Sequence, residues 1–219
     1  MWDLEELWLE GSVLAVIHAA GPEQGYWVDG SGLQHDDGSS NWWQLMPLGN
    51  GRAVVMGKDH ELPGDLYDDL PGALADGPGW LRDAWEGDDR PLRAAVRSMA
   101  PIGFFFWTDA DGTWGNVPTD DSRDDGSGLV TAPCDAFADR LAERYDGAGD
   151  LTEAQASAEA LFAAARAGTL DAGTLLPVLR RLDPQRARPF DLAAALKVAG
   201  LAGLTPGTRR PAFPTAKGS

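Results

Sequence analysis

The chain opens with apolar residues at helical spacing, Leu4, Leu7 and Trp8, which predicts a short helix over residues 3–10. Asp3 suits its N-terminal cap, and Glu6 stands three residues on, as in a capping box. Residues 13–18 and 26–29 are β-prone runs flanking a loop that contains glycine and proline, so the two are expected to pair. A clearer hairpin follows. Residues 42–46 and 52–56 flank Asn50-Gly51, the dipeptide best suited to a two-residue turn with positive φ at both positions. Residues 104–107 and 113–117 form a second hairpin around Asp109-Ala-Asp-Gly112. Between the hairpins, residues 65–70 and 91–99 read as helices, and Pro91 fits a first helical turn. Trp107 and Trp114 lie about equally far from the second turn and are expected to pair across it.

The texture changes after residue 117. Residues 118–133 hold charge and glycine with little to bury, which predicts a linker. Beyond it, residues 134–145, 153–167, 172–182 and 190–201 are Ala/Leu/Arg-rich helix candidates, with Thr152 and Asp171 as expected caps. Ala158, Leu161, Phe162 and Ala165 make a narrow apolar stripe. The expected fold is α+β: an N-terminal antiparallel sheet with short helices, then a C-terminal helical subdomain. Its expected parts are an acidic, tryptophan-rich 1–117, a linker 118–133, helices 134–204 and a flexible tail 205–219.

Charge sharpens this division. The net charge is −16, yet residues 1–130 carry −17 and residues 131–219 carry +1. All nine tryptophans, from Trp2 to Trp114, lie in the acidic part. Such a charge repels phosphates, so direct binding of nucleic acid or an anionic membrane through this part is disfavoured. A basic protein partner is favoured, although acidity can also serve solubility alone. The single cysteine, Cys134, excludes an intrachain disulfide and a zinc–cysteine site. A basic, apolar leader is absent from the N-terminus and no apolar run approaches membrane-spanning length, so the expected location is the cytoplasm.

Candidate chemistry is sparse. His18 reads as a packed or surface imidazole. His35, Asp59, His60 and Glu61 flank the first hairpin; two imidazoles with carboxylates would suit a divalent transition metal, which supports an alternative reading as a metal-dependent hydrolase. The opening of a calcium loop at Asp109 lacks its later ligands, and a tight turn accounts for it. No nucleophile elbow, phosphate loop or dinucleotide fingerprint is present, and no cofactor is implied. Cys134 follows Pro133 at a helix start and reads as a packed or capping residue. Adjacent Trp42 and Trp43 must point to opposite faces of a strand, so one is expected in the core and the other exposed, covered or in contact with a partner. Arg180, Arg181, Arg186 and Arg188 are read as internal packing or a solvated face.

The segment Asn41-Trp-Trp-Gln-Leu-Met-Pro-Leu-Gly-Asn-Gly-Arg-Ala-Val-Val-Met-Gly-Lys-Asp-His-Glu61 resembles a pattern in uncharacterised actinobacterial proteins, to which no activity attaches. In size, charge and lack of catalytic motifs the chain is similar to acidic α+β immunity proteins of bacterial toxin systems. That similarity implies a non-catalytic cytoplasmic binding protein that neutralises a basic toxin domain. Its partner-binding residues would be Trp42, Trp43 and Trp80, with Asp36, Asp37, Asp68 and Asp69 for charge steering. An acidic nucleic-acid mimic is the third reading.

Overall fold

The computed structural model describes residues 2–21, 25–62, 66, 70–87, 91–99, 101–117, 126–130, 151–183 and 188–214. The fold is α+β. Strands β1 (Tyr26–Asp29), β2 (Gly32–Asp36), β3 (Trp42–Gly49), β4 (Arg52–Lys58), β5 (Phe104–Thr108) and β6 (Trp114–Asn116) form one sheet in chain order. The pairs from β2 to β6 are antiparallel, as short connections require. By contact the chain divides into two compact units: 1–30 with 132–211, and 31–131 with 212–219.

In the first unit, helix α1 (Leu4–Ala20) replaces the short helix and the strand expected at 13–18. Asp3 does cap it, accepting hydrogen bonds from the amides of Glu5 and Glu6. Leu9, Val13, Val16 and Ile17 continue the helical spacing through residues whose β-branching suggested a strand. α1 is apolar on nearly all sides, the pattern of a helix wrapped by others rather than laid on a surface. It packs most heavily against β1 and α7 (Leu192–Leu201), with α5 (Leu151–Ala167) and α6 (Ala172–Leu182) alongside. The indole N–H of Trp8 donates to Ala202 O at 3.0 Å, tying α1 to the end of α7 across 194 residues. His18 accepts from the Tyr26 amide at 3.1 Å through Nδ1, joining the end of α1 to the start of β1.

The expected apolar stripe of α5 is largely buried at Ala158, Leu161 and Ala165, with Phe162 half-buried. Thr152 lies inside α5, not at its cap; Asp171 caps α6 in a full capping box with Thr174. α7 starts two residues later than expected, with Asp191 as cap. Arg181 pairs with Glu153, and Arg166 pairs with Glu6 at 2.6 Å, both within this unit. Arg210 donates to Arg166 O at 3.1 Å, anchoring the first part of the expected tail. The helix expected at 134–145 and Cys134 lie outside the described residues.

The second unit is a five-strand meander, β2 to β6, with helices α2 (Leu70–Ala75), α3 (Gly79–Glu86) and α4 (Pro91–Met99). α2 begins at the last residue of the helix expected at 65–70, most of which lies outside the described residues. Side chains alternate across the sheet. One face supplies Trp42, Met46, Val54, Met56 and Phe105 to a core closed by Leu70, Leu74, Leu81, Trp85, Leu92 and Val96 of the three helices. The opposite face buries Leu33, Trp43, Leu45, Val55 and Phe104. Trp107 does not pair with Trp114. The register sets Trp107 opposite Gly115, whose missing Cβ makes room for the indole ring.

Candidate functional site

The first hairpin determines which side chains meet. Asn50 (φ 53°) and Gly51 (φ 74°) make its turn, both in the left-handed region that Asn-Gly tolerates. Gly49 faces Arg52, but a register shift beyond Pro47 changes the pairing, and Trp42 ends opposite Lys58. On the other side Trp42 faces Asp36 of β2. Asp36, Trp42 and Lys58 thus form one row across the ends of three strands, all directed to the face that α2–α4 cover.

The helices stop short of this row and leave an open cleft of about 510 Å³. Trp42 lies on its floor, with Asp36 and Lys58 to either side. Ser40 and His60 reach it from the turns beyond the strands, while Ser98 and Met99 close it from the end of α4, next to Pro101. The Lys58 ammonium donates to Leu62 O at 2.6 Å, which holds the following turn against the strand end.

The rim is tightly bonded. Asp36 Oδ1 accepts from the Gly38 amide, and Asp37 Oδ1 accepts from those of Ser39 and Asn41. Asp37 Oδ2 accepts from Asn41 Nδ2 at 2.8 Å. That orients the Asn41 amide, whose oxygen accepts from both the backbone N–H and the ring Nδ1–H of His60. These bonds, led by that from the Ser39 amide, hold the Asp37 carboxyl below the usual carboxylate range, so it is ionised at neutral pH.

Most of the expected site residues have other tasks. Trp42 and Trp43 are both buried, at 7% and 2% exposure, because the sheet is covered on both faces here. Neither is an exposed anchor. Trp43 stacks on His35, with ring centroids 5.7 Å apart and planes 7° from parallel. Trp80 is half-buried; its N–H donates to Asp109 Oδ2 at 3.0 Å, and the Arg52 guanidinium lies 5.3 Å from its ring centroid. All nine tryptophans are buried or half-buried. Asp68 and Asp69 lie outside the described residues.

The metal cluster does not assemble. His35 points to the face opposite Asp36, whereas His60 lines the cleft. Asp59 accepts from the Glu61 amide and lies against the backbone of Gly126. Among the described residues, no group of three His, Cys, Asp or Glu side chains is placed to hold a metal ion.

Asp36, Trp42 and His60 of the cleft were identifiable as candidates from the chain; Lys58, Ser40, Ser98, Met99 and Pro101 were not. A strict reading of the Asn50-Gly51 turn would have placed Asp59 opposite Trp42, so only the register shift reveals Lys58. Among the described residues, no helix is long and apolar enough to cross a membrane. No family model, curated protein or solved structure matches the chain.

Proposed function

We propose that the chain is a cytoplasmic, non-catalytic binding protein for a basic protein partner, of the kind that neutralises a toxin domain. The observation that carries this reading is the charge of the second unit, which holds 18 acids against 8 bases. The first unit holds 16 against 10, and several of its acids are paired internally with arginines. The second unit also holds an open cleft with Asp36 in its lining, and the ionised Asp37 follows Asp36 in the chain. Charge of this sign speeds encounter with a basic surface, and the cleft offers a place for one of its side chains to be desolvated. Among the described residues His35, Asp59, His60 and Glu61 do not converge, so no observation favours the metal-dependent alternative over this reading.

The test is affinity capture from a lysate with the full chain and with an Asp36→Asn/Asp37→Asn variant. The expected result is a basic protein held by the wild type, released by salt and held more weakly by the variant. Capture of only neutral or acidic proteins, or equal capture by both forms, would overturn the reading.

A further inference from the structure

We infer that Asn50 is a self-modifying site guarded by the folded hairpin, converted to aspartate or isoaspartate in chains whose β3–β4 turn has opened. In an Asn-Gly pair the following amide nitrogen can attack the side-chain carbonyl carbon, because glycine has no Cβ to crowd the approach. A bond forms between the Gly51 nitrogen and Cγ of Asn50, the nitrogen's proton ends on the departing ammonia, and a five-membered imide closes. Water then opens the ring. Cleavage of the bond to Cγ gives aspartate. Cleavage of the bond to the main-chain carbonyl gives isoaspartate, with Cβ and Cγ now part of the backbone. Asn41 and Asn116, the chain's other asparagines, precede Trp42 and Val117, whose side chains crowd the same attack.

The fold decides when this happens. Gly49 pairs with Arg52, so Asn50 and Gly51 are the whole turn, and Asn50 is exposed to the water that the reaction needs. Ring closure requires Cβ of Asn50 and the Gly51 nitrogen on the same side of the Asn50 Cα–C bond. Asn50 sits in the left-handed region, with φ 53°. There ψ is about +47°, and the two atoms lie on opposite sides. The conformation that makes Asn-Gly a favoured turn therefore keeps its reactive atoms apart. Rotation about that bond gives up the left-handed conformation and with it the pairing of Gly49 and Arg52. Neighbouring contacts resist this. A Cβ on Gly51 would lie 3.4 Å from Ala110 Cα, so the turn rests against the β5–β6 turn. Arg52 beside it donates to Asp109 at 3.1 Å and lies over the Trp80 ring. The two products then part ways. Aspartate fits the turn as asparagine does, whereas isoaspartate adds a main-chain carbon to the loop and cannot restore the register it sets.

The test incubates the full chain at mildly alkaline pH, in native buffer and in unfolding urea. Peptide mass spectrometry follows the amide-to-acid mass gain at each asparagine, with isoaspartate and aspartate peptides separated by chromatography. Asn50 is expected to convert in urea and to do so about tenfold or more slowly in native buffer, where the reaction waits on local opening. Asn41 and Asn116 should lag far behind it in both. Gly51→Ala should slow the conversion in urea, a measurement that does not depend on whether this variant folds. After the urea is removed, chains carrying isoaspartate should show a lower urea midpoint than Asn50→Asp, which should match the wild type. No conversion of Asn50 in urea, equal rates in urea and native buffer, or equal conversion at Asn41 or Asn116 overturns the proposal. Isoaspartate chains with the wild-type midpoint overturn it as well.

Discussion

Asp109 shows how much of the acidic surface is structural. Its carboxylate accepts from Arg52 Nε at 3.1 Å, from Trp80 Nε1 at 3.0 Å and from the Ala110 amide at 2.7 Å, joining β4, α3 and the β5–β6 turn. The Ala110 bond is the largest reason that its carboxyl titrates below the ordinary range, with Arg52 and Trp80 adding to it. Replacing Asp109 by Ala removes the shared acceptor and should cost about 1–2 kcal/mol in urea unfolding, with a red shift in emission as Trp80 loosens. An unchanged midpoint would contradict this role. A second residue-scale case is Gly57, where an added Cβ would meet Trp42 O at 2.5 Å and the Phe104 ring. Gly57→Ala should destabilise by about 1–3 kcal/mol, as overpacking does, and a neutral result in thermal unfolding would contradict the close approach.

At the scale of elements, the helix α1 rests on a long-range bond. Trp8→Phe keeps most of the apolar contact but leaves Ala202 O without its indole donor, so a loss of about 1–3 kcal/mol is expected in equilibrium unfolding. Losing the cap of α6 through Asp171→Ala should cost about 1 kcal/mol, read the same way.

Elements with local cues were legible in the chain. Asn50-Gly51 marked the first hairpin, Pro91 the start of α4, and Asp171 the start of α6. The strand expected at 13–18 failed because Val13, Val16 and Ile17 satisfy both a β-prone composition and a helical spacing; tertiary burial on all sides decided for the helix. The cleft was only half legible. Asp36 and Trp42 stood out by charge and size, whereas Lys58 enters through a one-residue register shift near Leu48. Ser98 and Met99 arrive from a helix some 40 residues farther along the chain, and no local pattern announces such a meeting.

For the molecule as a whole, acidity becomes a matter of which acids are committed. Asp37, Asp109 and Asp171 all have carboxyls held below the ordinary range by hydrogen bonds made only in the folded chain. A group with a lowered folded pKa contributes stability above its unfolded value, and that contribution is lost as pH falls through the folded value. Stability measured by urea should therefore decline on acidification below the ordinary carboxylate range. Asp109→Asn should show a shallower decline; an identical pH profile would contradict the assignment. The two units differ less in their number of acids than in net charge, −10 for the second against −6 for the first, because the first holds more bases.

The most direct test of the central claim is the salt dependence of affinity for the basic protein captured by the full chain, compared with Asp36→Asn/Asp37→Asn. The account predicts that affinity falls steeply as ionic strength rises past about 0.15 M, where charges are screened beyond roughly 8 Å, and that the variant shows a smaller slope. An affinity indifferent to salt, or a variant with the wild-type slope, would contradict it.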